Sequence, residues 1–367
     1  MLRVTPPFRA DHVGSLLRPQ YLKDARAQRS RGEITPQQLR EIEDRAVREV
    51  ISKQESVGLE GITDGELRRS FWHLDFLEHL TGVECYPAEQ GLAFKGGTAR
   101  IKGMKVTGKI QAGVHPMIED FKYLKHNVPR KTAKATIPSP SVLPYRAGRK
   151  AVSETVYPTM GEFYHDLGQT YRKIVADFGA AGCRYLQLDE VSLTYLCDEE
   201  QRHMLRSRDE EPDKLPAIYA DMINAAVSGR TPEMRVMMHL CRGNFRSMWM
   251  ASGGYEPVAD VLFNTIHVDG YLMEWDTDRA GSFKPLHLVP KNKQVVLGIV
   301  TSKTGTLENK DDLKRRIDEA AKFIDLDQLC LSPQCGFAST EEGNVLTEDQ
   351  QWAKLRLVVE VAHEVWG

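Results

Sequence analysis

Three late segments of the chain carry the residue types that metal chemistry needs. In Met237-Met-His239-Leu-Cys241-Arg-Gly-Asn244 an apolar run leads straight into a His-x-Cys pair. Residues two apart on an extended chain share a face, so this imidazole and thiol could meet one ion. Taken alone, the pair is a weak signal and reads more readily as a core histidine beside a buried cysteine. In Leu331-Ser-Pro-Gln-Cys335-Gly-Phe, Cys335 stands between turn-forming proline and glycine, a context that exposes a side chain. Cys330 lies inside the apolar run and reads as core. In Tyr271-Leu-Met-Glu274-Trp-Asp276-Thr-Asp-Arg279-Ala-Gly a carboxylate follows an apolar stretch. Its ordinary reading is an acid that caps a turn or pairs with a base. Together the segments offer an imidazole, two thiols and a carboxylate, the complement of a tetrahedral zinc ion. Such a shell is anionic and a poor activator of water. It can still hold an incoming thiol as thiolate at neutral pH, where a free thiol of pKa about 8.5 is mostly protonated. The chemistry this suggests is attack by a metal-bound sulfur on carbon.

Earlier segments supply acids and a backbone approach. Ile62-Thr-Asp64-Gly-Glu66-Leu-Arg68-Arg69 and Leu186-Gln187-Leu188-Asp189-Glu190 each end an apolar run in carboxylates. Alternation along an extended chain puts Gln187 and Asp189 on one face and the leucines on the other. Acids so placed can grip a substrate ammonium. The competing reading, acids paired with arginine, weighs more for Asp64 and Glu190 than for Glu66 and Asp189. In His12-Val13-Gly14-Ser15, glycine lets the backbone come close to a carboxylate.

What must position these residues is a set of strands that all end at one rim. Apolar runs ending near 11–13, 61–63, 135–137, 185–188, 236–239, 263–268, 295–300 and 329–331 alternate with helical patterns at 36–56, 160–181, 311–323 and 347–365. Thr35 and Pro36 predict the cap and first residue of the first of these helices. Eight strands alternating with helices fit an α/β class (β/α)8 TIM barrel better than an open sheet. No strand is followed by a G-x-G-x-x-G loop, and every polar cluster falls at a strand end, the catalytic rim of a barrel. Residues 82–113, with alternation over 100–106, predict a β-hairpin excursion. A length of 367 residues admits one domain or two; the ordered motifs favour a single barrel over 1–367.

Lys and Arg total 49 against 51 Asp and Glu, a net charge of -2, with no basic face for nucleic acid. No apolar run approaches a membrane span and the first residues lack the apolar core of a secretory signal. The expectation is a cytoplasmic protein with unpaired thiols. Cys183 and Cys330 read as core, while Cys85 and Cys197 are unassigned.

In order, H-V-G-S with Arg18-Pro19, D-G-E at 64–66, Q-L-D-E at 187–190, H-L-C at 239–241, M-E-W-D with R-A-G at 273–281 and S-P-Q-C-G-F at 332–337 resemble the cobalamin-independent methionine synthase family, specifically its catalytic barrel and short single-barrel relatives. The resemblance runs nearly end to end. It implies a zinc-dependent S-methyltransferase with Zn2+ on His239, Cys241, Glu274 and Cys335. The amino-acid substrate would lie between the backbone of Val13, Gly14 and Ser15 and the carboxylates of Glu66 and Asp189. Homocysteine would be the thiol, and 5-methyltetrahydrofolate or another carrier the methyl donor, with room for a protein that delivers it. The chain departs from the family on the donor side. The family's folate-holding Arg-Cys pair and tryptophan have no clear counterparts in Thr98-Ala-Arg100-Ile-Lys102 and Ser139–Tyr145. Its acid histidine is Lys303 here, a speculative proton donor or anion contact, and one of its glutamates falls near Tyr195. Epoxyalkane:coenzyme M transferases share the zinc–thiol core, but a sulfonate thiol has no ammonium for Glu66 and Asp189. An idle barrel with structural zinc fits least, because the ligands are far apart in sequence.

Overall fold

The computed structural model describes residues 3–88, 91–99 and 102–367. Its strands, in chain order, are β1 (Gly61–Ile62), β2 (Thr81–Pro87), β3 (Leu92–Phe94), β4 (Gly97–Ala99), β5 (Lys102–Gln111), β6 (Thr132–Pro138), β7 (Tyr185–Glu190), β8 (Arg235–Leu240), β9 (Gly270–Glu274), β10 (Gln294–Val300) and β11 (Leu329–Pro333). Strands β1 and β6 to β11 form one sheet, with neighbours in chain order. All of its pairings are parallel. Helix Pro36–Ser56 precedes β1, and Met117–Asn127, Met160–Ala180, Leu215–Val227, Lys310–Ala320 and Glu348–Trp366 lie between or after the strands. That is the winding of a TIM barrel. The first of these helices begins as its sequence predicts: Gln38 N donates to Thr35 Oγ1 at 3.2 Å and Thr35 N donates to Gln38 Oε1 at 2.8 Å, a reciprocal cap.

Two of the eight expected strands take a different form. The first is reduced to a single parallel bridge, Ala10 to Leu331, with Asp11 N donating to Leu331 O at 2.9 Å and Leu331 N to Arg9 O at 2.8 Å. On its other flank, side chains replace a ladder: His12 Nε2 lies 3.0 Å from Gly61 O, and Thr63 Oγ1 donates to Gly14 O at 2.7 Å. The expected strand near 263–268 is a correction. Val261–Thr265 is a π-helical turn, and the strand is Gly270–Glu274. A short apolar run cannot be told from a buried helical turn by periodicity. Gly270 marks the true strand start, since a Cβ there would sit 2.2 Å from Gln294 O of β10.

The expected excursion is present as the antiparallel pair β2 and β5, with β3 and β4 as a smaller hairpin between them; Arg100 and Ile101, within the expected alternation, lie outside the described residues. Inside the barrel Tyr185, Met237, Leu272, Val296 and Cys330 pack with Phe8 and Val13 as an apolar layer. Each strand residue two further on also points inward. The layer above therefore receives Gln187 and then Asp189 from β7, His239 from β8 and Glu274 from β9, all buried. Strand period alone carries these polar groups to the rim. Among the described residues no helix is long and apolar enough to cross a membrane.

Candidate functional site

His239, Cys241, Glu274 and Cys335 converge, each buried, with one ligand atom from each within 4.8 Å of all the others. His239 and Glu274 come from inside β8 and the last residue of β9; Cys241 and Cys335 follow the ends of β8 and β11. The thiol sulfurs are 3.5 Å apart. Two ligands each ~2.3 Å from a tetrahedral zinc would stand ~3.8 Å apart, so the pair fits one ion. His239 Nδ1 lies 3.2 Å from Leu272 O; a carbonyl only accepts, so the ring proton is on Nδ1. Nε2 is then a free lone pair, buried and without a hydrogen-bond partner. A buried acceptor left unpaired in this way suits a metal ligand.

The electrostatics agree. The S–H shared with Cys241 and the adjoining His239 imidazole drive the Cys335 thiol well below its usual pKa, and the same bond holds Cys241 well above its own. Burial opposes a charge on His239, but Cys335 and the surrounding acids more than offset it and raise its pKa. Burial and then the charge of Cys335 raise the Glu274 carboxyl. Glu274 is held from outside the cluster: Arg242 N donates to Oε1 at 3.0 Å and Arg279 Nη2 to Oε2 at 3.0 Å. Arg279 is itself fixed by Asp276 Oδ1 at 2.7 Å and by the face of Trp249, 5.4 Å away. Outer contacts of this kind typically set metal affinity by ~10–100-fold. Arg279→Gln should therefore weaken metal retention by about that factor in chelator competition, with an unchanged circular dichroism spectrum.

A cleft of about 550 Å³ opens on the cluster, lined by Val13, Ser15, Glu66, Asp189, His239, Cys241 and Cys335 among others. Glu66 sits in a left-handed conformation (φ 56°), set by the turn in which Asp64 Oδ1 accepts from Glu66 N at 2.9 Å. For a non-glycine residue this costs ~1–2 kcal/mol, and it aims the carboxylate inward. Thr136 Oγ1 donates to Oε1 at 2.8 Å, and Arg69 approaches Oε2 to 3.4 Å without a hydrogen bond. Burial raises the Glu66 pKa, with Arg69 opposing. Asp189 Oδ1 accepts from Gln187 Nε2 at 2.6 Å; burial first and Glu66 second push its pKa up to about 7. Gly14 stands behind the wall, and a Cβ there would lie 2.8 Å from Thr136 Cγ2 at a φ of +132° that side chains rarely adopt.

Other candidates fall elsewhere. Glu190 is a structural acid that accepts from Leu193 N at 2.8 Å and from Ser141 Oγ, and Asp64 holds the Glu66 turn. Lys303 does not line the cleft: its ammonium is buried behind the wall and donates to Asn244 Oδ1 at 3.3 Å. Cys183 and Cys330 are buried and pushed by burial up to about 12. The motif reading passed over Phe71, Trp72, Leu92, Phe94 and Arg146, which form much of the cleft. Their only signal was position in loops and in the hairpin, whose approach to the rim is a tertiary fact.

An α/β barrel with this cluster and cleft at the carboxyl ends of its strands is a metal-site barrel of the enzyme kind. The chain belongs to the family described as cobalamin-independent synthase, catalytic domain, whose model matches residues 8–364. It is 50% identical over 361 residues to the uncharacterized protein YxjH of Bacillus subtilis, covering 98% of this chain and 95% of that one. It is 24% identical to the methionine synthase of Pyrococcus abyssi, over 88% of this chain and 84% of that one. A structure from Listeria monocytogenes, provisionally assigned as a vitamin-B12 independent methionine synthase, superposes with a TM-score of 0.81 at 39% identity and full coverage of both chains. The family is one of zinc-dependent methyltransferases.

Proposed function

We propose that this protein is a zinc S-methyltransferase that converts homocysteine to methionine, with 5-methyltetrahydrofolate or another methyl carrier as donor. The observation that carries the reading is the buried group of His239, Cys241, Glu274 and Cys335 opening on the same cleft as Glu66 and Asp189. Those four residues would hold a zinc ion, whose bound charge would let a substrate thiol ionise at neutral pH. Glu66 and Asp189 take the amino-acid ammonium, and the backbone of Val13 to Ser15 faces the carboxylate. These contacts set the sulfur against the donor, and orientation of this kind can contribute several kcal/mol to the rate. In the transfer a sulfur–carbon bond forms, the carrier–methyl bond breaks, and its electron pair leaves with the carrier. Lys303, through Asn244, stands behind the wall that carries Cys241 and Cys335; from there it acts on the site without touching substrate.

The test is metal analysis followed by methionine formation from homocysteine with folate monoglutamate, folate polyglutamate and methylcobalamin donors. The expected outcome is about one zinc per chain and methionine with at least one donor. Tighter calorimetric binding of coenzyme M than of homocysteine would overturn the acceptor assignment.

A pH dependence follows from Asp189. Its folded-state pKa, about 7, lies above the ordinary value, so its negative form is lost as pH falls through 7. An ammonium ligand prefers the negative form. L-Methionine should therefore bind the metal-free protein with affinity falling up to about tenfold per pH unit below 7, and should release protons on binding near neutrality. Calorimetry in buffers of different ionisation enthalpy measures both; affinity flat from pH 5 to 8 would remove Asp189 from the ammonium site.

A further inference from the structure

The turn that carries Cys335 is held from two directions. On one side the Gly336 carbonyl accepts from Asn244 Nδ2 at 2.9 Å, from Ser302 Oγ at 3.0 Å and from Asn344 Nδ2 at 3.4 Å. Asn244 and Ser302 belong to the loops after β8 and β10. On the other side the turn meets the first barrel segment at Ser15. Phe337 N donates to Ser15 O at 2.9 Å, and Ala338 N donates to Ser15 Oγ at 3.4 Å. Gly336 lies so close that a Cβ on it would stand 1.9 Å from Ser15 Oγ. Its φ is not left-handed, so space rather than conformation demands glycine here.

In the reading above, Val13, Gly14 and Ser15 face the substrate carboxylate. Each of their carbonyls is taken by a different element. Gln187 Nε2 of β7 donates to Val13 O at 2.6 Å and Thr63 Oγ1 to Gly14 O at 2.7 Å, while the Cys335 turn takes Ser15 O. This segment joins the sheet through a single parallel bridge, Ala10 to Leu331, so these contacts set its path. With the far side of the turn clamped at Gly336 O, a ligand that orders residues 13–15 also orders the turn that carries Cys335. A metal that fixes Cys335 must favour the ligand in return, because linkage between two binding events is reciprocal.

We infer that the contact between Ser15 and Gly336 couples the amino-acid pocket to the metal group. An amino-acid carboxylate at residues 13–15 tightens zinc on Cys335 with no sulfur touching the ion, and zinc tightens the amino acid by the same factor. Gly336 acts through Ser15 and Cys335 and is a positioning residue. The inference deepens the reading above and rests on its amino-acid site.

The test uses L-norleucine, which has the amino-acid head and no sulfur. Chelator competition gives zinc affinity with and without saturating norleucine; calorimetry gives norleucine affinity with and without zinc. Both affinities should rise by one common factor of about fivefold or more. Pentylamine, which keeps the ammonium and lacks the carboxylate, should give no such gain. Gly336→Ala sets a methyl group against Ser15 Oγ and should lose the coupling and weaken zinc retention. Ser15→Gly added to it clears that space and should recover the retention. Should Gly336→Ala not fold, Ser15→Gly alone decides, since removing the hydroxyl contact should lower the factor. An equal gain with pentylamine, or a factor unchanged in Gly336→Ala or, in its place, in Ser15→Gly, would overturn the inference. Norleucine binding with unchanged zinc affinity removes only the coupling. No norleucine binding in either metal state removes the amino-acid site, and the coupling with it.

Discussion

Cys335→Ser is expected to lose its metal and its methyl-transfer activity while remaining folded. The hydroxyl that replaces Sγ does not ionise at neutral pH, so the cluster loses the thiol whose pKa the neighbouring Cys241 and His239 hold low. Changing a residue that merely orients a metal ligand weakens metal binding ~10–100-fold; removing a proposed ligand should exceed that. The fold should survive, because the apolar layer of Tyr185, Met237, Leu272, Val296 and Cys330 lies beneath the cluster and does not use it. Cys241→Ser should behave alike, since its sulfur is 3.5 Å from that of Cys335. Metal content per chain, a chelator titration and a urea unfolding curve decide the matter. Full metal occupancy in either variant, or global unfolding of both, would count against the assignment.

Lys134→Met is expected to be the most damaging change to stability, at about 3–5 kcal/mol. Lys134 Nζ is 2.9 Å from Asp11 Oδ1, and both side chains are completely buried. It also donates to His12 O at 2.5 Å, while Tyr185 OH donates to Asp11 Oδ2 at 2.6 Å. Burial lowers the Lys134 pKa, with Asp11 as the main opposing influence. The first barrel segment has one backbone bridge to the sheet, so this ion pair does much of the work of a missing ladder. Removing the lysine leaves a buried carboxylate with no counter-charge. Asp11→Asn combined with Lys134→Met should be more stable than Lys134→Met alone, since no charge is then stranded. Urea unfolding of the two single variants and the double one measures the coupling; a loss under ~1 kcal/mol in Lys134→Met would show that the segment is held by other means.

The pair illustrates what could and could not be read in one dimension. Lys134 lies in Lys134-Ala-Thr136-Ile, whose apolar partners announce a strand but whose lysine reads as a solvent-facing residue. Its burial depends on Asp11, 123 positions away. The strand near 263–268 failed for a related reason. Phe263, Ile266 and Val268 are buried, but an apolar run shorter than two helical turns does not reveal whether its period is two or near four. Glu274 was found regardless, because the acid that follows Tyr271-Leu-Met belongs to the rim whichever residue begins the strand.

Local order in the chain determined the chemistry on offer: His-x-Cys at two-residue spacing, a turn cysteine, and acids ending apolar strands, of which His239, Asp189 and Glu274 are pointed inward by the pleat's period. It also determined the family, through motifs kept in order. Only the tertiary structure decided which of those groups meet. It joined residues up to 96 positions apart, His239 and Cys335, in one cluster. It separated Glu66 and Asp189 in the cleft from Asp64 and Glu190 in structural roles, and moved Lys303 behind the wall. It also brought the hairpin and Arg146 to the same cleft. The reason is physical. Spacing along a strand is set by bond geometry and can be read directly, whereas loop paths are set by packing among elements that are remote in sequence and leave no period in it.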